Sequence, residues 1–373
     1  MKGQWRGQYE SNGQGDIIVE LDEFDDCYRG CAYLYGPDRN FPGTLAEIAT
    51  PTKETRGTFR SPLHPLHPDT LQPVPWQAIS DRFPGAVFPG RANVDFDATD
   101  TRLELAWLTE HGVEGRAIIE RQDPSRASEL VPRADVTTWE AFKEFSVRLD
   151  PRRFIFRGQA KPWRLRTSFH RTGRSDLHRY SAKDDIPHLH RNLSARTRHF
   201  FDLNNSLQTG AFYNLIQHHG YPTPLMDWSL SPFVAAFFAY KNITNAEATR
   251  AADEMKVRVF VFDEQKWCID YGQVQNLVTR HPHFSILKAL AIGNERMVPQ
   301  QALSTLTNVD DVEAYIRTRE MERGVTYLEA IDLPISVRSR VMQELSLMGI
   351  TAGSMFPGLD GACEELRERL FTL

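Results

Sequence analysis

The apolar residues of this chain change their period near residue 123, and that change constrains the fold more than any single motif. Before it, the spacing is that of β structure. In Arg102 to Thr109, Leu103, Leu105 and Trp107 fall on one face and Arg102, Glu104 and Ala106 on the other, the alternation of a half-buried antiparallel strand. Val113 to Arg121 follows across Glu110-His111-Gly112, which predicts a hairpin. Asp16 to Leu21 and Cys31 to Tyr35 are further short runs rich in β-branched and aromatic residues. Strands and turns without helical spacing predict a small barrel or sandwich. Between them, Ser61 to Pro89 carries so many prolines that it reads as a long surface loop, with His64 and His67 as solvated side chains.

Asp123-Pro124-Ser125-Arg126 reads as a linker, and beyond it helix and strand signals mix. Trp139, Phe142 and Phe145 share one helical face, with Thr137 or Thr138 placed to cap the helix. Arg153 to Arg157 and Val257 to Phe262 read as strands, and Pro232 to Tyr240 as a helix with proline in its first turn. The expected class is therefore α+β. An antiparallel β-rich domain over residues 1–123 precedes a mixed α+β domain over 124–373.

Composition adds mainly exclusions. Hydrophobic residues make up 41% and charged residues 25%, ordinary for a globular protein. A formal net charge of -5 argues against attraction of the whole molecule to nucleic acid or membrane, while leaving a local basic site open. No apolar segment follows Met1, and the longest apolar run, Phe233 to Tyr240, is too short to span a bilayer. A soluble, cytoplasmic protein without membrane contact is the expectation. Cys27 and Cys31 lack a second close Cys/His pair, so reduced thiols are expected and no metal site.

Four segments carry the chemistry. In Phe154-Ile155-Phe156-Arg157-Gly158-Gln159, a guanidinium at a strand end stands beside a glycine that lets a ligand approach. This suits phosphate capture, and it equally suits pairing with a structural carboxylate. Trp163-Arg164-Leu165-Arg166-Thr167-Ser168 follows. The second segment runs from Gln217-His218-His219-Gly220 through Pro222-Thr223-Pro224-Leu225-Met226-Asp227-Trp228-Ser229-Leu230-Ser231 into the helix. Ser229 or Ser231 can cap that helix, whose N-terminus also attracts an anion. The third is Asn294 to Ser304, with the adjacent Gln300 and Gln301. The fourth, Met348 to Gly361, reads as a hydrophobic closing segment.

In this order the segments resemble the FRG domain family, from about Val136 to Leu373. That domain looks like a divergent relative of the ADP-ribosyltransferases, so the resemblance implies a transferase-like core with NAD as substrate. It implies that Arg157 holds the NAD diphosphate or nicotinamide ribose, with Gly158, Gln159 and His218 beside it. Ser229 and Ser231, flanking the segment with Trp228, would order the nicotinamide pocket. Gln301 or Gln300 would occupy the position of the late catalytic glutamate. A neutral glutamine there keeps a hydrogen bond and loses a charge, a difference of about 2.7–4 kcal/mol in transition-state stabilisation. Asp227 and Glu295 are the carboxylates able to replace it.

Three functions follow. The first is transfer of ADP-ribose to a macromolecule, nucleic acid or protein, in bacterial anti-phage or toxin-type defence. Its target-facing surface would be the basic run from His170 to His199, where arginines interleave with Tyr180, Phe200 and Phe201 and suit RNA or DNA. The same run also fits a solvated helical face. The second is a non-catalytic module that senses a nucleotide, with the β-rich domain contacting a protein partner. The third is a hydrolase using His218 or His219 with Asp227, for which no nucleophile elbow is present.

Overall fold

The structure, a computed structural model, describes all residues except 37–40, 124, 125, 151, 253, 276, 278–280, 372 and 373. The first part is a barrel, not a sandwich. Its strands are β1 (Gly3–Glu10), β2 (Gln14–Glu23), β3 (Tyr28–Tyr35), β4 (Thr44–Ala49), β5 (Arg56–Pro65), β6 (Arg91–Ala98), β7 (Arg102–Thr109) and β8 (Glu114–Glu120). Each pairs antiparallel with the next, and β8 closes on β1 through Tyr9 opposite Ala117. The alternation is strict in β6, where Ala92, Val94, Phe96 and Ala98 are buried and Arg91, Asn93, Asp95 and Asp97 exposed. One end of the barrel is solid: Trp5, Leu103 and Ile119 are fully buried there, and the Arg121 guanidinium lies 3.7 Å from the Trp5 ring centre.

The proline-rich segment corrects the expectation of a continuous loop. Its first residues, Ser61 to Pro65, complete β5. Pro62 pairs with β6 and Pro65 with β4, so each proline stands where the register joins the strand to one neighbour only. Leu66 is fully buried just beyond. The remainder contains two short 3-10 turns, Trp76–Ala78 and Ser80–Arg82.

The second part is one antiparallel sheet in the order β12-β13-β10-β9-β11-β14. Its strands are β9 (Phe154–Gln159), β10 (Leu225–Ser229), β11 (Lys256–Asp263), β12 (Phe284–Leu287), β13 (Ala302–Thr307) and β14 (Leu328–Pro334). The helices are α1 (Trp139–Arg148), α2 (Ser168–Arg171), α3 (Asp185–Leu193), α4 (Ser206–His218), α5 (Pro232–Tyr240) and α6 (Asn245–Arg250). They continue with α7 (Glu264–Asp270), α8 (Val312–Arg323), α9 (Arg338–Leu347), α10 (Ala352–Met355) and α11 (Leu359–Phe371). Both faces of the sheet are covered. Val257, Val259 and Val261 of β11 meet α1, α5 and α9, while Phe260 and Phe262 point the other way onto α7 and α8. Thr138 caps α1 by accepting from Ala141 N at 3.2 Å, and Ser231 caps α5 by accepting from Val234 N at 3.3 Å.

The two parts meet through buried polar groups. Gln4 of β1 donates to Asn308 O at 2.6 Å, and Asp22 of β2 accepts from Ser175 N at 2.7 Å and from Arg174 Nε at 3.0 Å. The expected division after residue 123 lies in the connection between β8 and α1, of which Pro124 and Ser125 are outside the described residues. Among the described residues, no helix is long and apolar enough to cross a membrane.

Candidate functional site

The site begins with a split in the sheet. β9 pairs with β11 along its whole length but with β10 only at Phe156 opposite Ser229. Arg157 stands where the pairing stops. Its Nη1 donates to the carbonyl of Asp227 at 2.5 Å, while its Nε is buried without a hydrogen-bond partner among the described residues. Burial, aided by nearby Arg171 and opposed by Asp227, lowers its pKa to about 10, so the group stays charged at neutral pH. Of the two readings of Arg157, a structural pair with a side-chain carboxylate is not what the geometry holds: the contact is to a backbone carbonyl.

The Asp227 carboxylate is engaged from α4, where Gln217 Nε2 donates to Oδ1 at 2.5 Å. Gln217 Oε1 accepts in turn from Thr223 Oγ1. Thr223 is tied to Ser168 in both directions, its N–H donating to Ser168 Oγ at 2.9 Å and its carbonyl accepting from that hydroxyl at 3.1 Å. The first two motifs are therefore one hydrogen-bonded chain from Ser168 to Arg157. Gln217 and Thr223 stand in the second motif, where sequence alone assigns them no role. The available signal was helical spacing: Asn214, Gln217 and His218 stand at i, i+3 and i+4, a polar stripe on an otherwise buried helix.

That stripe meets the third segment. Asn214 Oδ1 accepts from Ser304 Oγ at 2.6 Å, and Ser304 lies opposite Asp227 in the β10–β13 register. Arg296 Nη1 donates to His218 O at 3.0 Å, with its guanidinium 5.4 Å from the Phe356 ring centre. Asn214 Nδ2, His218 Nδ1 and Asn294 Nδ2 are buried without partners, like Arg157 Nε. Buried polar atoms left unpaired are costly in a folded protein, and on α4 two of them, on Asn214 and His218, flank the Gln217 that holds Asp227.

The remaining expected residues divide. Ser229 Oγ donates to Gln300 O at 2.8 Å and accepts from Ser231 N at 3.0 Å, which fixes the entry to α5. Gln300 donates to Met355 O at 2.8 Å, so the third and fourth segments are stitched together. Gln301 has an exposed side chain and a left-handed backbone, φ 46°, uncommon outside glycine and a mark of imposed strain. Trp228 points to the opposite face, donating to Thr305 Oγ1 at 3.0 Å against Phe262 and Phe284. Gln159 donates to Trp163 O at 3.2 Å. The free face of Gly158 is taken by α5, since a Cβ there would stand 1.8 Å from Ala235 O; the glycine admits a helix. Glu295 is exposed. His219 is exposed at the end of α4 and Asp227 is held by Gln217, so these histidines and Asp227 make no triad.

The basic run is half structural. Arg174 pairs with Asp22 and Asp185, Arg179 with Asp184, and Tyr180 and Phe201 are buried. Arg191, Arg196, Arg198 and Phe200 remain exposed. His170 is fully buried, its pKa lowered by burial to about 4, and it shares a 2.7 Å hydrogen bond with Thr167 Oγ1.

Fold and site together define an α+β sheet protein with a buried-arginine polar centre at a split between its central strands, docked on a closed barrel. Residues 152–248 match the FRG domain family model, so the chain carries an FRG domain that contains Arg157, Gln217, Asp227 and α5. No curated protein and no solved structure matches the chain.

Proposed function

We propose that the FRG domain binds NAD at the Arg157 split and transfers ADP-ribose from it to a macromolecular target, nucleic acid or protein. The observation that supports this most is the buried Arg157 guanidinium with an unused Nε–H, a donor that a diphosphate oxygen would satisfy. A diphosphate takes Nε–H and draws Nη1 away from the Asp227 carbonyl, with Arg171 adding positive charge nearby. In transfer, the bond between the ribose C1′ and nicotinamide breaks, a nucleophile of the target bonds to C1′, and its proton leaves. Asp227 is the carboxylate inside the cluster and the group suited to stabilise the developing positive charge on the ribose. Gln301, exposed on its strained backbone, is free to bond a ribose hydroxyl, whereas Gln300 is committed to Met355.

A second reading, a nucleotide sensor without turnover, is favoured by one specific observation: the Asp227 carboxylate is already engaged by Gln217. Incubation with radiolabelled NAD, total cellular RNA, DNA and lysate separates the two. Label in a macromolecule, absent with Asp227→Asn, supports transfer. Binding of NAD without label supports the sensor. Neither binding nor label removes both. A place in bacterial defence against phage, or as a toxin, belongs to the first reading and is tested by expression with and without Asp227.

A further inference from the structure

The barrel is packed at one end only. Its other half encloses a cavity of about 340 Å³ that reaches the end bearing the β1–β2 turn at Ser11–Gly13 and the β7–β8 turn at His111. Interiors of small barrels are normally filled by side chains, and an eight-stranded barrel is just wide enough to hold one small ligand instead. Here three inward positions, Ala32 opposite Ala46 on β3 and β4 and Ala92 on β6, carry the smallest side chain available, and their lack of bulk makes the space. Folding alone gives no reason for it, because larger apolar residues at these positions would close the cavity and add buried surface.

The lining sets the chemistry of an occupant. No Lys, Arg, Asp or Glu lines the cavity among the described residues. Its inner polar groups are already used: Ser61 Oγ donates to Glu47 O at 2.7 Å, and Thr109 Oγ1 accepts from Val113 N at 3.0 Å. An ion there would lose its hydration without compensation. The walls are aliphatic and aromatic, including Phe59 and the Tyr9–Trp107 pair with ring centres 5.8 Å apart. The proline-rich segment serves the same end of the barrel. Its Val87 and Pro89 line the cavity, and behind them Trp76 stacks on Phe83 and on Phe88. We propose that the barrel is a binding site for one small, uncharged, largely apolar molecule, seated on Trp107, with any single polar group of the ligand left at the mouth beside Ser11, Asn12 and His111. This site is separate from the Arg157 split and does not depend on what that split does.

The probe is N-phenyl-1-naphthylamine, an uncharged dye of suitable size, titrated into the full chain. Expected are uptake of one dye per chain, quenching of tryptophan emission that Trp107→Phe reduces while dye uptake persists, and at least tenfold weaker uptake of the charged 1-anilinonaphthalene-8-sulfonate. Ala46→Phe and Ala92→Phe, which place a ring in the cavity from different strands, should each weaken uptake at least tenfold, and Ala46→Leu by less. No dye uptake by the unmodified protein overturns the proposal. So does quenching that Trp107→Phe leaves undiminished, equal uptake of both dyes, or uptake unchanged in a filled variant whose circular dichroism matches the parent.

Discussion

The barrel and the six-stranded sheet are both antiparallel, but their interiors are built on different rules. The barrel interior is apolar, closed by Trp5, Leu103 and Ile119 at one end and left open around small alanines at the other. The centre of the sheet carries a guanidinium, a carboxylate, two amides and a histidine, several with donors unused. An apolar interior holds whatever fits its volume, and exchanging one such residue for another changes affinity and packing by degrees. A polar interior requires each partner, and losing one leaves the others exposed to cost. The difference teaches where each chemistry belongs: shape selection in the barrel, charge and direction in the sheet.

The sharpest way to break this contrast is to damage the solid end of the barrel. Trp5→Ala removes a fully buried indole and should cost about 3–5 kcal/mol. Because the two parts meet through polar contacts instead of a shared apolar core, hydrogen exchange should quicken in β2 and β7 and stay slow in β11. A uniform loss of protection across both parts would erase the distinction.

Acid should do the reverse. His170 and His283 are buried in the second part of the chain, and burial lowers both pKa values to about 4 from an ordinary 6.5. Between those values the unfolded chain takes up protons that the folded one refuses. The stability contribution is therefore complete above pH 6.5 and is lost as pH falls toward 4, by up to about 3 kcal/mol for each histidine. Denaturant melts at stepped pH, followed by exchange in β12 and α2, should show this half weakening first. Earlier weakening of the barrel would contradict it.

A milder test concerns the polar chain itself. Gln217→Ala removes the bridge between Thr223 and Asp227. It should cost about 1–3 kcal/mol of stability, since the fully buried Thr223 hydroxyl is left without its acceptor, and weaken NAD binding about tenfold. Calorimetry on the same preparation reads both effects. A large stability loss with unchanged binding would make Gln217 purely structural.

The contrast also explains what was legible in the sequence. The hairpin of β7 and β8 could be read because Leu103, Leu105 and Trp107 alternate without interruption. Strand β6 alternates as strictly, but its inward Ala92 and Ala98 dilute the apolar signal, and Ala92 is one of the alanines that make the cavity. Proline density hid the end of β5, since a sequence does not show which prolines fall on a one-sided pairing. In the second part, the ordered motifs announced Arg157 and Asp227 together, and the hydrogen-bonded chain joins them, whereas Ser229 bonds to Gln300 and Ser231 instead. Trp228 and Gly158 share those motifs for packing reasons, which adjacency in sequence does not separate from ligand contact. Gln217 and Asn214 were hidden because their roles arise only when α4 lies against β10 and β13.

The central claim is that the unused donor of Arg157 awaits an anionic ligand, and calorimetric titration of NAD into the full chain and into Arg157→Ala tests it most directly. The account predicts measurable binding that falls at least a hundredfold in the variant, with the unfolding temperature nearly unchanged because the lost contact is one hydrogen bond to a backbone carbonyl. Equal binding by the two proteins would contradict it.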